Sequence, residues 1–427
     1  MALLRTTLDN GLQVLIRESH AAPVVSVWAW YRAGVRNERQ GITGISHWVE
    51  HMLFKGSERW SEGTADEAVA REGGVYNGMT WYDFTTYYET LPAHKISVAL
   101  DIESDRMRNI IFKPEEVESE RSVIISERQG NENSPLFLLS EEVSAAAYRV
   151  HPYGHETLGH LCDLQTMTCD MLRDYYHTYY TPSNAILAIA GDFNAGEIER
   201  ITERYFGRIE AGPEPPAISA IEPPQRGERR VVVEGAGQTD YLNLAFHIPA
   251  PRHEDEAGRP TYFALTVLNA VLAGASGFLV GGGVTNHTSR LYRALVEKEF
   301  AIDVSGNLMT TVDPGLYQLV ATAWPGKAVD DVEAALWAEI AHLQESPITQ
   351  EELEKAQRQA RALFAYASES TTHQAFWLGY SEIFADYEWF TRYLDNIAAV
   401  TTEDVQRVAQ TYLRPQNRTT GWYLSKK

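Results

Sequence analysis

Apolar residues along this chain follow two spacings, one typical of strands and one typical of helices. Residues 24–31 and 85–91 are short runs rich in β-branched and aromatic residues, which predicts strands. Residues 185–190, with the sequence Ala-Ile-Leu-Ala-Ile-Ala, predict a further apolar strand. Residues 403–411 have helical periodicity, as does part of 168–184. Strands and helices mixed in this way predict an α+β fold.

The same order of patterns occurs twice in the chain. A helical segment, a Tyr-x-x-Pro-x-Asn motif and an apolar strand follow one another around Tyr179, and the order recurs 233 residues later, around Tyr412. The acidic sequence at 115–118 has a counterpart at 351–354. A repeat of this length predicts that one domain has been duplicated.

A Pro-rich segment without periodicity separates the two copies. Residues 211–228 contain repeated prolines and glycines, which predicts a linker between domains. We therefore predict an N-terminal domain at 1–210, a linker at 211–228 and a C-terminal domain at 229–427. The length of 427 residues agrees, because it exceeds that of one ordinary domain.

Composition narrows the class of protein further. Hydrophobic residues make up 44% of the chain, which is enough for substantial cores. The chain has no run of eighteen apolar residues, so we expect no membrane span. The net charge of −21 argues against nucleic acid as a partner. It favours basic or neutral peptides, or simply gives solubility. The two cysteines are too few for a disulfide framework, and the N-terminus lacks a signal pattern, so we expect a cytoplasmic protein unless a signal has been removed.

The sequence His-Trp-Val-Glu-His at 47–51 carries the clearest chemistry. His47 and His51 lie four residues apart, so on a helix both imidazoles face the same side and can reach one metal ion. Glu50 lies beside them as a candidate general base. The order His-x-x-Glu-His is an inverted zinc-peptidase motif. The alternative for an isolated histidine is a packed, hydrogen-bonded core residue.

A second segment offers a further ligand. Pro114 suits the first turn of a helix, and the acidic residues that follow suit its positive end. Glu120 and Glu127 are seven residues apart and share a face with Val123 and Ile124. Carboxylates on an apolar face need partners, so these two differ from the other acidic residues of the helix, for which a solvated surface is sufficient.

These motifs together resemble the pitrilysin and mitochondrial processing peptidase family of inverted-motif zinc peptidases. The resemblance spans nearly the whole chain. It rests on Gly34, Arg36 and Glu38 before the motif, Phe54-Lys55-Gly56-Ser57 after it, and the segments 73–80, 151–154 and 179–184. One departure is Gly78, which stands where the family usually has alanine.

The resemblance implies a role for each site residue. Glu127, about 76 residues past the motif, would complete the site for one Zn²⁺ per chain with His47 and His51. Glu120 would orient a ligand histidine. Substrate contacts would come from Phe54, Asn77 and Gly78, although Asn-Gly is also a common turn sequence. The implied fold is two homologous, duplicated α/β sandwich-like domains that enclose a substrate chamber.

The repeat indicates which half carries the chemistry. Aligned by it, Glu120 corresponds to Ala356 and Glu127 to Leu363, and the second half has no His-x-x-Glu-His sequence. We therefore expect the C-terminal domain to lack the metal site.

A second departure concerns the partner. Active single-chain or homodimeric relatives supply an Arg and a Tyr from the second domain, after a Ser-Arg-Leu-aromatic segment. Here that segment is present at 289–292, but Val296 and Asp303 occupy the Arg and Tyr positions. The resemblance therefore implies the zinc-bearing subunit of a prokaryotic-type heterodimer, whose sister subunit supplies the pair.

The predicted function is that of a zinc-dependent metalloendopeptidase acting on peptides or small unfolded polypeptides. The alternative is a catalytically silent core subunit, or a peptide-binding subunit, of a processing complex. The Gly-rich segment 274–283 is not a phosphate loop. A loop that contacts substrate or subunit, and an ordinary connection, both fit that segment.

Overall fold

The structure is a computed structural model that describes residues 3–252, 261–275 and 287–426. Its elements fall into two compact units, each built around a β-sheet of its own. Unit 1 comprises the described residues of Met1–Gln129, His155–Ala220 and Ser368–Tyr387. Unit 2 comprises those of Gly130–Gly154, Ile221–Ala367 and Glu388–Lys427.

The strands occur in two groups along the chain. Those of unit 1 are β1 (Leu3–Thr7), β2 (Gln13–Glu18), β3 (Val24–Tyr31), β4 (Val75–Thr80), β5 (Thr85–Pro92) and β6 (Ala185–Gly191). Those of unit 2 are β7 (Arg229–Ala236), β8 (Tyr241–Ile248), β9 (Ala301–Leu308), β10 (Gly315–Ala323) and β11 (Arg418–Lys426). The predicted strands at 24–31, 85–91 and 185–190 are therefore confirmed.

Helices fill most of the remaining described chain. In the first half they are α1 (Ile45–Met52), α2 (Thr64–Arg71), α3 (Ile96–Arg106), α4 (Pro114–Asn131), α5 (Pro135–Ala147), α6 (Leu161–Thr166), α7 (Cys169–Tyr179) and α8 (Ala195–Phe206). In the second half they are α9 (Thr261–Leu272), α10 (Val329–Glu345), α11 (Gln350–Ala367), α12 (Thr371–Phe384), α13 (Tyr387–Thr391), α14 (Tyr393–Ala399) and α15 (Thr402–Tyr412). Among the described residues, no helix is both long and apolar enough to cross a membrane.

The sheet of unit 1 is mixed and is covered on both faces. Its strand order is β1-β2-β6-β3-β5-β4, with β6 parallel to β2 and antiparallel to β3. Val25 and Val27 of β3 belong to the core that α1, α3 and α7 share. Trp28 and Trp30 lie on the opposite face, and their rings are each 5.3 Å from that of Phe376 in α12. Burial on both faces explains why β3 lacks a polar alternation.

Unit 2 repeats this plan with its own core. Its sheet has the order β7-β11-β8-β10-β9, with β11 parallel to β7 and antiparallel to β8. Helix α5 packs against β11, β7 and β8, while α9, α10 and α15 enclose a separate apolar cluster with β8 and β10.

Two asparagines show how closely the repeats agree. Nδ2 of Asn184 donates a hydrogen bond to the carbonyl oxygen of Tyr179, and Nδ2 of Asn417 donates one to that of Tyr412, both at 2.8 Å. Each asparagine lies directly before an interior strand of its sheet, Asn184 before β6 and Asn417 before β11. The Tyr-x-x-Pro-x-Asn motif therefore fixes the approach to that strand in both units. The predicted fold class of two duplicated α/β domains is confirmed.

Each compact unit includes one helix from the other repeat. Helices α5 and α12 begin 236 residues apart, as do α4 and α11, so α5 and α12 are equivalent positions of the repeat. Yet α5 belongs to unit 2 and α12 to unit 1. The predicted domains 1–210 and 229–427 are continuous stretches, and they differ from the compact units in these segments. Residues 211–226, within the predicted linker 211–228, form neither helix nor strand.

Candidate metal centre

The start of α1 is held by a buried carboxylate. Glu38 accepts hydrogen bonds from the backbone N–H groups of Gly44, at 2.8 Å, and Ser46, at 3.0 Å. Its Oε2 is also 2.8 Å from Nε2 of His155. A carboxylate at this end of a helix satisfies free N–H groups and complements the helix dipole. Glu38 thereby fixes the orientation of the helix that carries the histidines.

Gly44 is required at this helix start. Its φ of 85° lies in the left-handed region, and a Cβ there would lie 2.7 Å from the carbonyl oxygen of Leu158. A larger residue would move the helix or the facing loop. Trp48, Val49 and Met52 then bury one side of α1 in the core of unit 1.

The two motif histidines and Glu127 converge. The rings of His47 and His51 are 4.6 Å apart, and Nε2 of each is 3.7 Å from Oε2 of Glu127. Their three ligand atoms lie within 4.8 Å of one another. Zinc–ligand bonds of about 2.0–2.2 Å in a tetrahedral site separate the ligand atoms by roughly 3.3–3.6 Å, so a small contraction would fit the ion. Within the described residues, no other such group of three or more potential ligands is found.

Helix α4 brings Glu127 to this position. It begins at Pro114, as predicted, and buries Glu120 and Ile124 on its inner side. Val123, which was expected on the same face, is 47% exposed, so that part of the prediction is wrong. Glu120 is only 5% exposed, whereas the side chain of Glu127 is 41% exposed.

His47 is suited to bind a cation. Burial, followed by the neighbouring charge of His51, lowers the pKa of His47 to about 3. His47 is therefore a neutral imidazole near pH 7, which is the form that binds metals. Two imidazole nitrogens and one carboxylate oxygen match the three-ligand sets of catalytic zinc sites.

Glu120 contacts His51 at Nδ1, the ring nitrogen other than the one nearest Glu127. Its Oε1 is 2.8 Å from Nδ1 of His51, and its Oε2 is 2.8 Å from Nζ of Lys55. The hydrogen bond from His51 is the largest influence that lowers the pKa of Glu120, and Lys55 also lowers it, against the effect of burial. Sequence reasoning assigned no function to Lys55, although it lies in the motif that follows α1.

The candidate base Glu50 is buried beside the ligands. Oγ1 of Thr80, on β4, donates a hydrogen bond of 2.6 Å to Oε2 of Glu50. Burial raises the pKa of Glu50, while the Thr80 bond and the charge of His51 oppose that rise. Sequence reasoning did not identify Thr80, because its partner is thirty residues away and no local spacing relates the two.

Asn77 and Gly78 lie inside β4, so the alternative of a turn is wrong. Oδ1 of Asn77 accepts a 2.9 Å hydrogen bond from the N–H of Gly78. A Cβ at Gly78 would lie 2.9 Å from the ring of Tyr87 and 3.1 Å from that of Phe54. A side chain at this position would therefore have to displace those rings. Strand β4 is at the edge of its sheet, and among the described residues only β5 pairs with it.

A cavity of about 360 Å³ lies beside the segment that follows α1 and the start of β4. Its walls include Phe54, Trp60 and Tyr76, with Lys55 on the side of the metal ligands. Arg106 is also in the wall and is paired with other side chains, since Nη1 donates to the buried carboxylate of Glu103 at 2.6 Å and Nη2 donates to the hydroxyl of Tyr76. The cavity thus combines aromatic walls with polar residues, and its buried Arg106 is neutralised within the protein.

Unit 2 has core residues where unit 1 has ligands. On α11, Ala356 is buried and Leu363 packs against the core. Val296 ends a π-helical turn and packs against the same core, while Asp303 is exposed on β9. Of the Gly-rich segment 274–283, only 274 and 275 are among the described residues.

Two family models match the chain in sequence. A model described as "Insulinase (Peptidase family M16)" matches residues 13–160, and one described as "Peptidase M16 inactive domain" matches residues 166–360. The chain belongs to the M16 family of peptidases. The resemblance to pitrilysin-like zinc peptidases is thereby confirmed.

Individual relatives match nearly the whole of this chain. "Zinc protease PqqE" of Helicobacter pylori is 29% identical over 97% of this chain and 91% of its own. "Probable mitochondrial-processing peptidase subunit beta" of Arabidopsis thaliana is 27% identical over 96% of this chain and 76% of its own. A crystal structure of a protease from Helicobacter pylori, 27% identical, superposes with a TM-score of 0.92 and covers 99% of both chains.

Proposed function

We propose that this M16 protein is a zinc-dependent metalloendopeptidase that hydrolyses peptides or small unfolded polypeptides. The observation that carries the proposal is the convergence of His47, His51 and Glu127 with the buried carboxylate of Glu50 alongside. The proposed ion is one Zn²⁺ per chain, in keeping with the donor set and with relatives named zinc proteases.

The chemistry is divided between the ion and Glu50. Zinc in such a site supplies Lewis-acid chemistry, by polarising a carbonyl oxygen and making water nucleophilic near neutral pH. Thr80 occupies Oε2 of Glu50, so Oε1 is the atom that takes the proton of the attacking water. The same carboxyl group then donates that proton to the leaving amine, which regenerates the base.

Strand β4 is the proposed substrate platform. An extended peptide can add to the free edge of β4 through backbone hydrogen bonds, with Asn77 and Gly78 facing it. Phe54 lines the adjoining cavity, where a substrate side chain would bind. The net charge of −21 would attract basic peptides over a longer range.

We further propose that the active form is a heterodimer. Val296 and Asp303 cannot replace an Arg–Tyr pair, because neither side chain donates a hydrogen bond to a developing negative charge at neutral pH. A homologous sister subunit would supply that pair. The relative from Arabidopsis thaliana is itself named as a subunit, which fits this proposal.

The alternative is a silent core or peptide-binding subunit. Such a subunit has no need of a buried, hydrogen-bonded carboxylate at the position of Glu50. Burial of this carboxylate costs free energy, and a catalytic role is a reason for the protein to keep it despite that cost. The arrangement therefore favours an enzyme.

Replacing Glu50 by glutamine separates the two functions. Glu50→Gln keeps the shape and removes the base, so turnover should fall by about 10²- to 10⁴-fold while bound zinc stays near one per chain. Glu67→Gln, an exposed change on α2, is the matched control and should leave both unchanged. Peptide hydrolysis in the assembled enzyme and zinc content should be measured on the same samples. Unaltered turnover in Glu50→Gln would remove Glu50 from the mechanism.

A further inference from the structure

Lys55 lies at the junction of α1, the cavity and the metal ligands. It follows the last turn of α1, and its Nζ is 2.8 Å from Oε2 of Glu120 and 3.1 Å from Oε1 of Glu62. The two carboxylates differ in environment. Glu120 is almost wholly buried, whereas the side chain of Glu62 is 57% exposed. An ion pair with the buried partner is screened less by solvent, so the contact with Glu120 is the stronger.

The contact with Glu120 continues to a metal ligand. Oε1 of Glu120 accepts the Nδ1–H of His51, and Oε2 accepts from Lys55. With both oxygens held, the carboxylate cannot rotate about its axis without breaking a charge-assisted hydrogen bond. The ring of His51 is then held with Nε2 directed towards Glu127, at 3.7 Å.

The other ligand histidine lacks such support. Nδ1 of His47 is buried and has no hydrogen-bond partner within the described part of the chain. Orientation of the ligand pair by side-chain hydrogen bonds therefore depends on the single path from Lys55 through Glu120 to His51. Partners of this kind outside the ligand sphere strongly affect how tightly a metal is held.

We propose that Lys55 is a positioning residue of the metal centre, which fixes the Glu120 carboxylate and through it the ring of His51. The inference rests on the proposed zinc site and adds to it a residue that lies outside the ligand set. The loop that begins at Lys55 is anchored independently, since Nε1 of Trp60 donates a 3.0 Å hydrogen bond to Asp101. Loss of the ammonium group should therefore leave the loop in place.

Zinc affinity measured by competition with a chelator tests the proposal. Lys55→Met keeps the aliphatic stem and removes the charged head, and it should weaken zinc binding by about 10- to 100-fold. The matched control is Lys95→Met, which breaks another ion pair of unit 1, at 2.9 Å with Glu72, and should bind zinc like the wild type. Wild-type affinity in folded Lys55→Met would overturn the proposal.

A double-mutant cycle tests whether Lys55 acts through Glu120. If it does, Lys55→Met combined with Glu120→Gln should weaken zinc binding no further than Glu120→Gln alone. Fully additive losses would overturn the indirect path. The absorption spectrum of bound Co²⁺ should also change in Lys55→Met, because His51 is no longer fixed, and a general loss of stability would not alter it in the folded fraction.

Two further outcomes are distinguishable. If Lys55→Met does not fold, Lys55→Gln replaces it, because glutamine keeps a polar head without charge. Its zinc affinity should also be about 10- to 100-fold weaker than that of the wild type, and an unchanged affinity would overturn the proposal. If the wild-type chain itself binds no zinc, the metal centre and the proposed function fail together. If the wild-type chain binds zinc and the Lys55 variants bind it equally well, only the positioning role of Lys55 is contradicted.

Discussion

At the scale of residues, the site depends on single contacts to buried carboxylates. Glu50 and Glu120 are both buried, and each accepts from a donor to which the sequence assigned no role, Thr80 for the former and Lys55, in addition to His51, for the latter. The spacing of the motif is sufficient to predict Glu50, since it lies on the same helix as the histidines. The donors come from elsewhere in the fold, and only the three-dimensional structure identifies them.

Thr80 provides a direct test at this scale. Thr80→Val keeps the shape and removes the hydroxyl group, so Glu50 loses a charge-assisted hydrogen bond of about 1.5–3 kcal/mol. We expect kcat to fall by about 10- to 100-fold with KM and zinc content unchanged. Thr80→Ser, which restores the hydroxyl, should recover most of the rate. Equal kcat values in the Val and Ser variants would contradict a positioning role for Thr80.

At the scale of elements, two helices determine where the ligands meet. Helix α1 is fixed at its start by Glu38 and Gly44. Helix α4 is held against it by Arg121, whose guanidinium lies 4.8 Å from the ring of Trp48. His47, His51 and Glu127 are thus brought together by rigid helices, which is the arrangement that a preorganised metal site needs.

The glycines before α1 and α2 form a matched pair of variants. Both have positive φ, 85° at Gly44 and 77° at Gly63, but a Cβ at Gly63 would meet no atom within 4 Å. Gly63→Ala should therefore cost only the backbone strain of about 1–2 kcal/mol. Gly44→Ala should cost about 1–3 kcal/mol more, through the clash with Leu158, and should weaken zinc binding. Calorimetric unfolding and zinc titration check this, and equal stability of the two variants would contradict it.

At the scale of the whole molecule, one copy of a duplicated domain has the candidate metal ligands. Helices α4 and α11 are equivalent and have the same length, yet α4 presents Glu120 and Glu127 where α11 has Ala356 and Leu363. The apolar replacements belong to the core of unit 2. The duplicated domain thus retains the fold in both copies and the ligand set in one.

The sequence was sufficient to predict the duplication and the meeting of His47, His51 and Glu127. Local spacing predicts which residues share a helix face, and the resemblance to a family placed Glu127. It could not predict that α5 belongs to unit 2 and α12 to unit 1. Equivalent helices have equivalent apolar patterns, and these patterns do not specify which of two similar sheets the helix packs on. Nor could it predict the exposure of Val123, which depends on how α4 is rotated against its neighbours.

The central claim is tested most directly by peptide hydrolysis with zinc content measured on the same samples. The chain should be assayed alone and mixed with a homologous sister subunit that has Arg and Tyr at the positions of Val296 and Asp303. We predict about one zinc per chain, and activity only in the mixture, because each missing donor to the transition state costs about 10²- to 10³-fold in rate. A chain without zinc, or one with zinc that hydrolyses nothing in either sample, would contradict the account. Full activity of the chain alone would contradict the heterodimer.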